Sequence, residues 1–245
     1  MITLARAKEA PVSSKVVHLT LDHLDELTAP CRSCVFWQLD PVRRGRVDDP
    51  ADEVDAWVSA VLRDWGSCGR VVLVDGVPKG FALYAPEAFL PGAASFPTAP
   101  VSADAVLLTQ VYVAPDARRG GLGRMLVQGM ARDLIERGGI KAVEAFGDTR
   151  GDVGWDGPSA PRDHPRGSRC VASVEFLGSV GFKTHRPHAR TPRMRMDLRS
   201  ALTWRDEVEA ALEKLIGVVR PTPKPSTERP TRSMRESSRP GSSEL

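Results

Sequence analysis

The stretch Gln110-Val111-Tyr112-Val113-Ala114-Pro115-Asp116-Ala117-Arg118-Arg119-Gly120-Gly121-Leu122-Gly123-Arg124-Met125-Leu126 decides how this chain is read. It continues an apolar, β-branched run from Ala105 (AVLLTQVYV) that predicts a strand buried on both faces. Pro115 closes the strand, and residues 118–123 form a turn rich in arginine and glycine. A helix starts inside that turn: Leu122, Met125, Leu126, Met130, Leu134 and Ile135 share one face until Gly138-Gly139. Free N–H groups at a helix start, with the positive end of its dipole, attract anions. Glycines let a phosphate approach without a Cβ in the way. Arg118, Arg119 and Arg124 add charge that phosphate can use. The expected ligand is a diphosphate. An ordinary β–α turn would also carry Gly-x-Gly. Two other phosphate loops are excluded by pattern: there is no Gly-Lys-Ser/Thr, and Leu126 stands where the dinucleotide fingerprint needs its third glycine.

Working outward, residues 15–20 (KVVHLT) predict a strand, and residues 22–39 a helical region broken by Pro30. Asp48 and Asp49 can cap a helix with Pro50 in its first turn. Its apolar face is Val54, Trp57, Val58, Val61, Leu62 and Trp65, and Gly66 ends it. Residues 70–74 and 79–84 predict strands joined by Asp75-Gly76, a pair suited to positive φ at both turn positions. Residues 86–103 read as a Pro- and Ala-rich loop, 141–146 as a strand, 147–169 as a polar loop, 171–180 as a helix and 194–198 as a last strand. Thr203 begins a terminal amphipathic helix with Val208, Leu212, Leu215 and Ile216 on its face. This order mixes hairpins with β–α–β connections, so the fold class is α+β on one mixed sheet flanked by helices. The expected division is a leader at 1–13, a domain at 14–200, a helix at 201–219 and a disordered basic Pro/Ser-rich tail at 220–245.

The 245 residues are 41% hydrophobic and 27% charged, enough for one well-filled domain. The net charge of +3 resides in the tail, where six basic residues face three acidic ones; the body is formally neutral, which argues against a nucleic-acid-binding domain. No run approaches a membrane span, and residues 1–12 do not read as a secretory signal, so a cytoplasmic location is the default expectation.

The central stretch resembles the signature of the GNAT superfamily of N-acetyltransferases, Arg/Gln-x-x-Gly-x-Gly/Ala, at Arg118, Gly121 and Gly123. Val111, Val113 and Pro115 match the family's strand and turn. Downstream, Phe176-Leu177-Gly178-Ser179-Val180-Gly181-Phe182 is similar to its Phe-Tyr-x-x-x-Gly-Phe helix end. The resemblance covers roughly residues 15–198 and implies the GNAT fold, acetyl-CoA as co-substrate and direct attack by an amine on the acetyl carbonyl. It implies that Arg118, Arg119, Gly120, Gly121, Leu122, Gly123 and Arg124 hold the pyrophosphate, that Val111 and Val113 hold the pantetheine arm, and that two strands splay apart beside it.

The match fails at the acid and base. Leu107, Thr109 and Gln110 occupy the positions where relatives carry a carboxylate, and Leu177 stands in place of the later tyrosine. Glu144, with Asp148 after it, is the remaining candidate base; the competing reading of Glu144 is an exposed strand carboxylate. Tyr112 is the candidate acid or a packing residue. Such gaps point to an acceptor with a low-pKa amine or to a water-relayed base. Cys34, Trp37 and Trp155 are expected to line the acceptor pocket. Cys31-x-x-Cys34 is half a zinc or redox motif without its second half; Cys68 and Cys170 are isolated, so no metal is expected. His164, His185 and His188 either line a pocket or decorate solvated loops. Two alternatives stand beside an N-acetyltransferase: a non-catalytic acetyl-CoA sensor, and a thiol or zinc regulatory protein on the same scaffold. The acceptor would be a small-molecule or peptide amine, with no membrane partner.

Overall fold

A computed structural model describes residues 13–26, 34–150 and 171–199. All of them lie in Met1–Arg205, the first of two units into which the chain divides; the second is Asp206–Leu245. The leader up to residue 12, the terminal helix at 201–219 and the tail at 220–245 fall outside the described residues, as do Cys31, Trp155, His164 and Cys170.

The chain opens with β1 (Ser14–His18) and α1 (Leu21–Glu26). Of the helical region expected over 22–39, residues 27–33 lie outside the described residues and α1 covers its start. Residues 36–38 form a turn instead, and a short helix, α2 (Pro41–Arg44), follows under an Asp40 cap. Helix α3 (Pro50–Trp65) forms as its spacing predicts. The Asp49 carboxylate accepts from the Ala51 and Asp52 amides at 2.8 and 3.3 Å. Gly66 closes α3 at φ +88, and its N–H donates to the carbonyls of Val61 and Leu62. β2 (Gly69–Val74) and β3 (Val77–Ala85) form the expected hairpin, with Asp75 and Gly76 at φ 49 and 85.

Residues 86–103 carry two short 3₁₀ turns before β4 (Ala105–Val113). The helix after the glycine turn is α4 (Leu122–Arg137), followed by β5 (Ala142–Asp148). The helix expected over 171–180 is shorter: β6 (Ala172–Ser173) precedes α5 (Val174–Ser179), capped by the Ser173 hydroxyl. β7 (Lys183–Arg186) and β8 (Arg193–Asp197) complete the described chain.

The strands form one mixed sheet in the order β1-β2-β3-β4-β5-β8-β7, with β6 beside β5. Among the described residues, only β4–β5 and β5–β6 are parallel. One face is covered by α1, α3, residues 35–39 and the 86–103 loop, through Leu24, Val54, Val58, Trp37, Leu90 and Ala93. The other is covered by α4 and α5, through Leu126, Met130, Leu134 and Leu177. Burial of both apolar faces is the main stabilising term. Beneath α4 a polar network ties helix to sheet: the Tyr84 hydroxyl donates to Asp133 at 2.6 Å, and Arg70 pairs with Asp133 at 2.7 Å. No helix among the described residues is long and apolar enough to cross a membrane.

Candidate cofactor and acceptor site

The sheet opens at one place. β4 and β5 pair only at Ala105/Ala142, Val106/Val143 and Leu107/Glu144. Beyond Glu144, β5 stays with β8 as far as Phe146 and pairs β6 at Gly147. Residues 108–113 of β4 are laddered to β3 alone among the described residues, leaving their β5-facing edge without a strand. Val111 and Val113 sit half-buried on this segment.

The strand runs into the turn. A 3₁₀ turn at Pro115–Ala117 leads to Arg119, whose φ of 67 is unusual for a residue with a Cβ, and to Gly121 at φ 79. The first bond of α4 runs from the Met125 amide to the Gly121 carbonyl at 3.1 Å. The Leu122, Gly123 and Arg124 amides precede it, and Gly121 offers no side chain to cap them. A Cβ on Gly121 would meet nothing within 4 Å, so space above the turn is open. Gly123 is held by packing instead: a Cβ there would lie 3.0 Å from the Phe176 ring, which joins the two motifs of the chain.

The arginines divide by role. Arg118 Nε donates to the Val113 carbonyl at 3.1 Å, and Arg124 Nη2 donates to the Ser179 carbonyl at 2.6 Å. Arg119 and Gly120 are exposed and Leu122 is buried. Lys79 pairs with Asp116 at 2.7 Å and holds that carboxyl below its usual range, which keeps a negative charge at the rim of the turn.

Glu144 is corrected in its surroundings: it is fully buried rather than an exposed strand carboxylate. Arg195 Nη1 donates to it at 3.1 Å, the Ser102 amide donates at 3.2 Å, and Arg193 Nε lies 3.1 Å away. Arg195 also holds Asp104 in a fork at 3.0 and 3.2 Å, and this keeps Asp104 well below the usual carboxylate range. A carboxylate clasped by two guanidiniums has its lone pairs occupied, which suits structure better than proton removal. Asp148 is likewise bound by Arg150 at 2.7 Å, which lowers its pKa.

Trp37 is not a wall residue: it is fully buried in an aromatic stack, 5.2 Å from Phe96 and 6.1 Å from Phe146. Gly92 fits against it, because a Cβ there would lie 2.0 Å from the Phe36 carbonyl. Cys34 is a half-buried thiol and Tyr112 packs on Phe81 at 5.6 Å between ring centres. His185 and His188 are exposed, and no group of three metal-binding side chains exists among the described residues. What sequence reasoning missed is Gln110, whose buried amide was read only as an absent base, and the arginines of β8, which only sheet register brings to Glu144.

A family model described as the acetyltransferase (GNAT) family matches residues 26–152. No curated protein matches. Among solved structures, PaiA N-acetyltransferase of Thermoplasma acidophilum in complex with coenzyme A is similar at 13% identity and TM-score 0.45, over 76% of this chain and 99% of its own. Ribosomal-protein-alanine N-acetyltransferase of Brucella melitensis is similar at 22% identity and TM-score 0.47, over 75% and 99%. YncA of Salmonella typhimurium with its cofactor acetyl-CoA is similar at 19% identity and TM-score 0.48, over 76% and 94%.

Proposed function

Since this chain belongs to the GNAT family of acetyltransferases, whose model spans just over half of it, we propose that it transfers an acetyl group from acetyl-CoA to an amine by direct attack. The observation that carries the reading is the parting of β4 from β5 after Leu107, followed at once by an uncapped helix start. The residues fit a long ligand ending in a diphosphate: an unladdered strand edge for an amide-bearing arm, then free amides and open space over Gly121. Val111 and Val113 would hold the arm through their backbone. The amides of 119–124 would hold the pyrophosphate, with Arg119 exposed beside them.

When bound, the thioester supplies an activated acetyl carbonyl. The chain's part is to hold it beside the acceptor and exclude water. Neither Leu107 nor Gln110 on β4 can remove a proton, and Glu144 is engaged by Arg193 and Arg195. The amine therefore reaches the carbonyl already neutral or loses its proton through water, which favours an amine of low pKa.

Isothermal titration of acetyl-CoA into the intact protein and a Gly121→Glu variant tests the cofactor reading. We expect micromolar binding in the first and at least a tenfold loss in the second, because a carboxylate would stand where the diphosphate sits. Absence of binding to the intact protein would reduce the loop to a turn. The lack of a free carboxylate on β4 also favours an acetyl-CoA sensor, a reading that turnover of any amine would remove.

A further inference from the structure

Gln110 is 3% exposed, and neither its Oε1 nor its Nε2 has a hydrogen-bond partner. Among the described residues it is the one side chain that buries both an unused donor and an unused acceptor. Such burial is unfavourable unless something else completes it.

Its orientation is built in. The β3–β4 ladder pairs Tyr84 with Leu108 and Leu83 with Gln110, so Thr109 is an extra residue, a bulge. Thr109 Oγ1 donates to the Leu83 carbonyl at 3.0 Å and holds the bulge in place. Simple alternation would put residue 110 on the face of Val106 and Leu108, under α4. The bulge reverses the alternation, so Gln110 shares the opposite face with its partner Leu83 and with Tyr112. It stands three residues beyond the last β4–β5 pair, beside the parting of the strands. Across that parting on β5 stand the buried Glu144, engaged by Arg193 and Arg195, and, two residues on, the Phe146 ring, which stacks on Phe96 at 4.1 Å. An unpaired buried amide beside the parting of the strands offers a ligand one acceptor and one donor side by side.

We propose that Gln110 reads the acceptor: its Oε1 accepts from an N–H of the amine to be acetylated, and its Nε2 donates to the carbonyl oxygen adjacent to that amine. The acceptors are then α-amino acyl compounds (amino acids, their amides or peptide N-termini) rather than plain alkylamines. This inference rests on the acyl-transfer reading above. In the step, the nitrogen lone pair forms the C–N bond as the C–S bond of the thioester breaks. The sulfur leaves with that bonding pair, and the surplus proton on nitrogen passes through water to the thiolate. A neutral amide cannot take that proton, which favours an acceptor that arrives as the free base. At pH 7.5 about a third of the α-amino group of a peptide or amino amide is neutral, against about 0.1% of an alkylamine.

The test uses the full chain, Gln110→Leu and Gln110→Met. Thiol release from acetyl-CoA is measured with alaninamide, alanine and n-propylamine, compared at equal free-base concentration. Acetyl-CoA affinity and Tm are measured in parallel. Expected are a kcat/KM for alaninamide at least tenfold above propylamine in the intact protein, and loss of most of that preference in both variants. Acetyl-CoA affinity should be unchanged, and Tm unchanged or higher because an orphaned amide has gone. Equal effects on both amines, no effect, turnover of none of the probes by a protein that binds acetyl-CoA, or a fall in Tm with loss of acetyl-CoA affinity would each overturn the assignment. Failure of the intact protein to bind acetyl-CoA would instead remove the acyl-transfer reading.

Discussion

Glu144 shows how one residue's surroundings decide its chemistry. It sits fully buried on β5, and Arg193 and Arg195 of β8 meet it from the neighbouring strand. Burial pulls the Arg193 guanidinium down while Glu144 opposes that shift, so the carboxylate is what permits a cation in this place. Removing its charge would leave the buried Arg193 guanidinium without its counter-ion, while Arg195 keeps Asp104 and Asp197. Glu144→Gln is therefore expected to lower stability by about 3–5 kcal/mol, read as a fall in the urea midpoint. A variant of native stability that had lost only turnover would return Glu144 to the role of base. Gln110 is the opposite case, a buried polar group with nothing to satisfy it, and such a group costs about 1–3 kcal/mol in the free protein.

At the scale of elements, what matters is how α4 is seated, because its first turn carries the candidate diphosphate site. Gly129 brings the helix close to the sheet: a Cβ there would lie 2.6 Å from Val16 Cγ1. Asp133 anchors it, accepting from the Tyr84 hydroxyl and pairing with Arg70, with both charged side chains 9% exposed. Tyr84→Phe removes one hydrogen bond to a buried carboxylate and should cost about 2 kcal/mol by denaturant unfolding. The same anchor explains the hydroxyl's resistance to ionisation: burial first, then the bond to Asp133, raise its pKa. At its C-terminus α4 is tied to α3, where Arg137 donates to the Trp65 carbonyl and lies over that ring.

For the whole molecule these groups set a pH window. Burial pushes the Cys68 thiol from its usual 9.0 up to about 12, and Tyr84 is raised in the same sense. Both stay protonated in the fold while the unfolded chain would ionise, so stability is complete below about pH 9 and falls as pH rises above it. Asp104 and Asp148 are depressed by Arg195 and Arg150, so their contribution is present above the usual 3.8 and is lost as pH falls through their folded values. Urea midpoints should therefore form a plateau between about pH 4 and pH 9, declining on both sides. A midpoint that keeps rising from pH 9 to pH 10.5 would contradict the assignment of Cys68 and Tyr84 as buried neutral groups.

What the sequence by itself determined was local. Asp49-Pro50 and Gly66 bound α3, Asp75-Gly76 makes the hairpin, and the apolar run 105–113 followed by the glycine turn makes β4, the turn and α4. Each is settled by neighbours within a few residues, which is why it could be read along the chain. β7 could not: Lys183, Thr184, His185 and Arg186 are all exposed, as an edge strand allows, so no alternation marks them. Other decisions belong to the tertiary structure because they depend on partners far away in the chain. Sheet order sets Arg195 opposite Glu144, fifty-one residues apart. Packing buries Trp37 in a stack with Phe96 and Phe146. One extra residue at Thr109 turns Gln110 to the other face of the sheet. Periodicity reports which face a residue prefers; register and bulges, which only the assembled sheet defines, decide which face it occupies.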